Sequence, residues 1–234
     1  MPLQQSPAAE RLAMIRARIE KARRRFGSPI APVKLVAVSK TFSASAIEPY
    51  LRAGQRAFGE NRVQEAKAKW PDLKAKYPDV ELHLIGPLQT NKVKDAVALF
   101  DVIETVDREK LAAALASEML RTGRHLACLV QVNIGREAQK AGIDPDDVVD
   151  FVDRCRRVHG LDVKGLMCIP PEGVAGGPYF AQLALLGRAA EVGELSMGMS
   201  GDFEVAIGMG ATLVRVGSAL FGHRAPLAEP GASG

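Results

Sequence analysis

Eight short apolar runs, each trailed by a stretch of helical character, succeed one another between Val33 and Phe221. They fall at 33–38, 56–58, 81–85, 102–106, 126–132, 163–167, 195–197 and 212–216. The runs are continuous rather than alternating, as expected of strands buried on both faces, and such strands are parallel ones covered by helices. Eight strand-helix units in 234 residues suit a single (β/α)8 TIM barrel, which needs somewhat over ~200 residues. The barrel is expected over 33–224, with an N-terminal helix in 1–32 packed on it and a tail at 225–234 too polar and small-residue-rich to pack. An open doubly wound sheet is the alternative, because periodicity does not reveal closure.

The leading helix is read at 8–26, where Leu12, Ile15, Ile19, Ala22 and Phe26 recur at gaps of three and four, the stripe of an amphipathic helix. Gly27, Pro29 and Pro32 end it. Further on, one helix is expected over 63–70, Asp107 is expected to cap another, and Asp144-Pro145 pairs a cap with proline in the first turn.

The totals exclude several classes. Lys plus Arg exceed Asp plus Glu by 31 − 27 = 4, too little to imply nucleic acid without a patch to concentrate it. The arginine-rich first helix lacks interleaved aromatics and carries Glu10 and Glu20, so a solvated face is its expected role. Cys128, Cys155 and Cys168 are scattered without metal-ligand spacing and read as reduced thiols. No run approaches the ~18 apolar residues of a membrane span, and the first residues carry no signal-peptide core. A cytoplasmic location is expected, and with no long apolar surface stripe, a monomer.

In such a barrel the working residues sit at the C-terminal ends of the strands. The first strand ends in Ser39-Lys40-Thr41, the second in Gly59-Glu60-Asn61, and the seventh in Gly198-Met199-Ser200-Gly201-Asp202; the eighth carries Arg215 and ends in Gly217-Ser218. A lysine at the inner end of a buried strand loses hydration, which makes neutral amine available, and a neutral amine attacks an aldehyde to form a Schiff base. Taken alone, Lys40 is more readily a lysine whose stem snorkels out of the strand, since strand-end lysines are common. The loops after strands seven and eight weigh against that reading. Ser200, Gly217 and Ser218 stand where small residues and exposed N–H groups form an anion site, and barrels often bind phosphate at these two loops. An amine and a phosphate cradle at one mouth together point to a phosphorylated aldehyde. Arg215, within an apolar strand, needs a partner: either a ligand ring nitrogen or an inward carboxylate such as Glu60. Asn61 is either a helix cap or a ligand contact. His83, His125, His159 and His223 are too dispersed for a metal site, and His83 reads as a satisfied core residue.

The segments 36–41, 58–65 (Phe58-Gly59-Glu60-Asn61 onward) and 83–92 (His83-Leu84-Ile85-Gly86-Pro87-Leu88-Gln89 onward) resemble the pyridoxal phosphate homeostasis proteins. So do 131–134 with Glu137, Lys140 and Gly142, then Gly165-Leu166-Met167, 195–200 and 214–222. The resemblance implies a barrel like the N-terminal domain of alanine racemase, holding pyridoxal 5′-phosphate (PLP) as a Schiff base on Lys40. It places Ser200, Gly217 and Ser218 at the phosphate, Arg215 at the pyridine nitrogen and Asn61 along the cofactor. Phe42 and Ser43 depart from the family's common lysine and proline, which leaves Lys40 untouched.

The same resemblance implies a carrier that stores, delivers or buffers PLP, with apo PLP-dependent enzymes as its partners, rather than a catalyst. A racemase-like enzyme is the alternative. Chemistry on a substrate carbon needs positioned proton donors and acceptors, and alanine racemase takes its tyrosine base from a second domain. Here the tyrosines are Tyr50, Tyr77 and Tyr179, all within the barrel span. Arg215 at the ring nitrogen would also favour an unprotonated pyridine, a weaker electron sink. A sugar-phosphate isomerase would need an acidic base at the mouth, and Glu60 is the one residue placed for it.

Overall fold

The computed structural model describes residues 6–26 and 32–222. Within them the apolar runs form the parallel strands β1 (Lys34–Val38), β2 (Ala57–Glu60), β3 (Glu81–Leu84), β4 (Val102–Val106), β5 (Ala127–Val132), β6 (Asp162–Cys168), β7 (Glu194–Ser196) and β8 (Leu213–Val216). Neighbours pair in chain order, and β8 closes on β1 through Lys34↔Leu213, Leu35↔Val214, Val36↔Arg215 and Ala37↔Val216. That pairing decides for the barrel over the open sheet, since it leaves no edge strand. Polar Glu60 and Asp162 join the ladder opposite Leu84 and Ala127. Backbone pairing with a neighbour, not side-chain hydropathy, sets where these strands stop, and this moves several ends by a residue or two from the sequence reading.

The helices are α1 (Pro7–Arg25), α2 (Ala44–Arg52), α3 (Val63–Lys67), α4 (Trp70–Lys76), α5 (Val93–Leu99), α6 (Glu109–Thr122), α7 (Val148–Arg157), α8 (Gly177–Ala189), α9 (Phe203–Gly208) and α10 (Ser218–Phe221). The Ser6 side chain caps α1 by accepting from the Ala9 N–H at 3.3 Å, and Pro7 opens its first turn. Arg23, Arg24 and Arg25 fall in its last turn, where cations complement the exposed carbonyls. Leu12, Ile15, Ile19 and Ala22 are buried where α1 packs on α2, α9 and α10. Phe26 departs from the stripe: it lies past the last helical residue and is 47% exposed. Of the stop signals, Gly27 and Pro29 lie outside the described residues, as do His223 and the tail from 225.

Two further expectations are corrected. The span 63–70 is not one helix, because the chain breaks at Ala68-Lys69 and restarts at Trp70, with Pro71 in the new first turn. Asp107 does not cap α6; Arg108 holds the N-cap position and Asp107 pairs with its guanidinium instead. The Asp144 reading holds: its carboxylate accepts from the Asp146 N–H at 3.0 Å, and Pro145 begins a short 3-10 turn before α7.

Most of the core lies between strands and helices. The barrel interior is different. Its apolar filling comprises two small clusters, Val36–Ala57–Leu213 and Val102–Leu129–Met167, while inward His83, Glu104, Ser196 and Arg215 form a buried polar layer. Cys128, Cys155 and Cys168 are free and buried, and burial pushes each thiol up to about 12, the state of inert structural cysteines. Among the described residues no helix is long and apolar enough to cross a membrane, and no cluster of His, Cys, Asp and Glu could hold a metal ion. The α1 contact is testable: Ile15 is fully buried, so Ile15→Ala should lower stability by about 2–5 kcal/mol, read as a drop in the urea midpoint at unchanged slope.

Candidate functional site

At the C-terminal mouth of the barrel a cavity of about 360 Å³ is lined by Lys40, Asn61, Ser200, Arg215, Gly217 and Ser218, with Val38, Ile85, Ile169, Met199 and Gly201 completing it. All six residues singled out from the sequence therefore meet at one site. They come from the end of β1, the end of β2, the loop after β7, and β8 with the turn that follows.

Lys40 reaches the cavity because strand residues alternate. Val36 packs inside the barrel, Val38 and Lys40 line the cavity, and Ala37 packs outward in the main core. Lys40 is part-exposed, and among the described residues its ammonium makes no hydrogen bond or ion pair. The amine is left to whatever enters. Asn61 does not cap α3, whose N-cap position is Arg62; the residue lines the cavity. Its backbone lies so close to Gly86 that a Cβ there would stand 2.3 Å from the Asn61 carbonyl.

On the same cavity, the Ser200 hydroxyl gathers two backbone donors, the Gly217 N–H at 3.3 Å and the Ala219 N–H at 3.4 Å. Gly217 approaches β1 closely: a Cβ would come within 3.2 Å of Val38 Cβ and 3.3 Å of its carbonyl. The loop before Ser200 turns at Gly198, whose φ of +88° and contact with Ala206 and Phe203 leave no room for a side chain. Asp202 then accepts from the Met199 N–H at 2.7 Å, which fixes the loop.

Arg215 forms the floor. Its Nη1 donates to Ser196 Oγ at 2.6 Å and its Nη2 to the Cys168 carbonyl at 2.8 Å. The carboxylate nearby is Glu104, 3.9 Å away, and not Glu60 as the sequence suggested. Ser196 also donates to Glu104 Oε2 at 2.5 Å, and Glu104 Oε1 meets His83 Nδ1 at 2.7 Å. The far ring nitrogen of His83 meets Glu81 at 2.6 Å, and Glu81 pairs with Lys34 at 2.7 Å. Alternating charges thus cross the barrel from its lower rim to the cavity floor. Burial opposes a charge on His83, but the flanking carboxylates of Glu104 and Glu81 outweigh it and raise its pKa from 6.5 to about 9. Burial likewise opposes the Glu104 carboxylate, yet His83, Arg215 and Ser196 hold it below its ordinary range.

Glu60 faces away from the cavity. Its Oε1 accepts from Ser39 Oγ at 2.6 Å and Trp70 Nε1 at 3.0 Å and pairs with Lys69 at 3.0 Å. An isomerase base cannot be drawn from it. The sequence reading missed Glu104, Ser196 and Lys69. The first had a signal, a carboxylate inside the apolar run Val102-Ile103-Glu104-Thr105-Val106, which demands a buried partner.

Fold and mouth together define a barrel of the alanine racemase type: the family model described as alanine racemase, N-terminal domain, matches residues 11–225. Alanine racemase from Bartonella henselae shares the fold at 16% identity and a TM-score of 0.65, with 90% of this chain and 61% of that one covered. The nearer resemblance is narrower. The pyridoxal phosphate homeostasis protein of Vibrio cholerae is 41% identical over 220 residues, covering 90% of this chain and 93% of that protein. Its Escherichia coli counterpart is 38% identical, covering 92% and 96%. PipY of Synechococcus elongatus, solved with PLP bound, matches with a TM-score of 0.78 and 39% identity over 92% of this chain and all of that one (100%). This chain belongs to the pyridoxal phosphate homeostasis protein family.

The raised His83 pKa has a measurable consequence. Between pH 6.5 and about 9 the folded chain keeps a proton that the unfolded chain has released, so the contribution of His83 to stability is full below 6.5 and is lost as pH rises through 9. A denaturation series across this window should show that fall in the native chain and a flatter profile in His83→Gln.

Proposed function

We propose that this chain holds PLP as a Schiff base on Lys40 and serves to store, buffer or deliver it to apo PLP-dependent enzymes rather than to catalyse. The observation that carries the reading is the one cavity on which an amine with no partner among the described residues, the Ser200 hydroxyl with the Gly217 N–H, and a guanidinium converge. Its volume lies in the range of small-molecule sites, and its walls fit this group. Apolar Val38, Ile85, Ile169 and Met199 suit the faces and methyl of a pyridine ring. Ser200, Gly217 and Ser218 suit a phosphate, with glycine letting the backbone approach. The cofactor binding of PipY supports the same assignment for a chain 39% identical to it.

When bound, PLP supplies an aldehyde and a conjugated ring able to draw electrons from an attached carbon. Lys40 Nζ would bond to the aldehyde carbon, and the oxygen would leave as water with the two amine hydrogens. Arg215 has donors to spare beyond those given to Ser196 and Cys168, and no acceptor. It would donate to the ring nitrogen and keep it unprotonated. A carboxylate in that place would do the opposite, and the one at hand, Glu104, is separated from the cavity by Ser196 and Arg215. Asn61 would line the cofactor's side.

The racemase alternative requires a second acid-base group facing the substrate carbon. Tyr50, which receives from Arg11 Nε at 3.1 Å, lies buried beneath α1, and neither Tyr77 nor Tyr179 lines the cavity. The purified chain incubated with PLP should show a visible band that disappears on borohydride reduction, with mass spectrometry placing the adduct on Lys40. The Lys40→Ala chain should lose both signals, and retention of either would remove Lys40 from its role. Amino acid racemisation at a rate comparable to a true racemase would overturn the carrier reading.

A further inference from the structure

β1 ends in a tight turn, Ser39 to Phe42, closed by the Phe42 N–H donating to the Ser39 carbonyl at 3.1 Å. Lys40 and Thr41 are its two central residues. Thr41 has φ +67°, a region that turns ordinarily give to Gly or Asn and that strains a β-branched residue such as threonine. A strained turn of this kind persists only where its surroundings over-determine it.

What surrounds it is one buried ammonium. Lys69, 9% exposed, donates to the Ser39 carbonyl, the Phe42 carbonyl and Glu65 Oε1, each at 2.9 Å. Glu65 also accepts from the Thr41 N–H, and Glu60 pairs with Lys69 from the barrel side at 3.0 Å. Both ends of the turn and its strained middle are therefore tied to a single charged centre. The break between α3 and α4 makes this geometry: Lys69 sits at the interruption, four residues after Glu65 and immediately before Trp70, which itself bonds Glu60. Lys69 does not line the cavity, so it acts on the amine through the backbone.

We propose that Lys69 is a positioning residue for Lys40, clamping the Ser39–Phe42 turn so that the amine projects into the cavity at the place where an aldehyde is presented. The proposal rests on the reading that Lys40 carries the aldehyde. It adds that the placement comes from an ion cluster outside the cavity, shared between the end of β1 and the helix break after β2.

The decisive experiment separates imine formation from the rest of binding. Native and Lys69→Met chains are mixed with saturating PLP, quenched with borohydride over time, and the adduct on Lys40 is quantified. In parallel, affinity is measured for 4′-deoxypyridoxine 5′-phosphate, which keeps ring and phosphate but carries a methyl group where PLP has its aldehyde. Adduct formation in Lys69→Met should slow by about ten- to a hundredfold, the cost of misplacing a reacting group by roughly an ångström, while affinity for the aldehyde-free analogue stays unchanged. Equal adduct rates overturn the proposal. So does a parallel loss of rate and analogue affinity, which would mean general damage to the cavity. Should Lys69→Met fail to fold, Glu65→Met decides the question in its place, since that carboxylate is part-exposed: slower adduct formation supports the clamp and an unchanged rate overturns it. A native chain that forms no adduct on Lys40 defeats the underlying reading instead, a result distinguishable because it appears before any substitution.

Discussion

The pairing of β1 with β8 is the contact on which the site depends. It joins residues 179 positions apart and sets Lys40 beside the turn at Gly217, where Val38 and Gly217 approach so closely that a side chain on the glycine would crowd the strand. An amine from the start of the chain and backbone donors from its end then line one cavity. A sheet of the same strands left open between β1 and β8 would carry every one of these residues and keep the amine after β1 apart from the donors after β8.

Beneath the cavity the barrel departs from the usual apolar filling. Glu81, His83, Glu104 and Arg215 form a crossing of alternating charges, with the Ser196 hydroxyl bridging the last two. Such a layer adds little to stability compared with well-packed apolar groups, but losing one member would strand a buried charge. Its consequence is directional. Arg215 is held from below by Ser196 and by the Cys168 carbonyl, so its remaining donors are offered upward. Glu104, the carboxylate near that guanidinium, is occupied by its neighbours. A barrel whose relatives in fold include racemases thus presents a guanidinium rather than a carboxylate at the floor of its cavity.

Much of this was legible in the sequence, for identifiable reasons. The strands announced themselves because burial on both faces requires unbroken apolar runs. Lys40, Ser200, Gly217 and Ser218 stood out because polar or small residues at the ends of such runs fall at one mouth. Less legible were the partnerships. Arg215 plainly needed an acceptor, yet Glu60 and Glu104 both stood in strands, and nothing local says which faces inward. Glu60 turns outward to Lys69 and Trp70, in step with its neighbour Phe58. The helix expected over 63–70 hid Lys69 on a surface that does not exist, and Asn61 stayed open between a cap and a ligand contact because caps are common where strands meet helices.

What the chain's own residues settled was therefore the class of architecture and the chemistry available at its mouth, since hydropathy period and residue type are local properties. Which charges meet, and how the amine is held, was decided by the tertiary structure alone. Pairing between distant carboxylates, amines and carbonyls depends on barrel closure and on which way each strand residue points at its end, and no spacing along the chain encodes either.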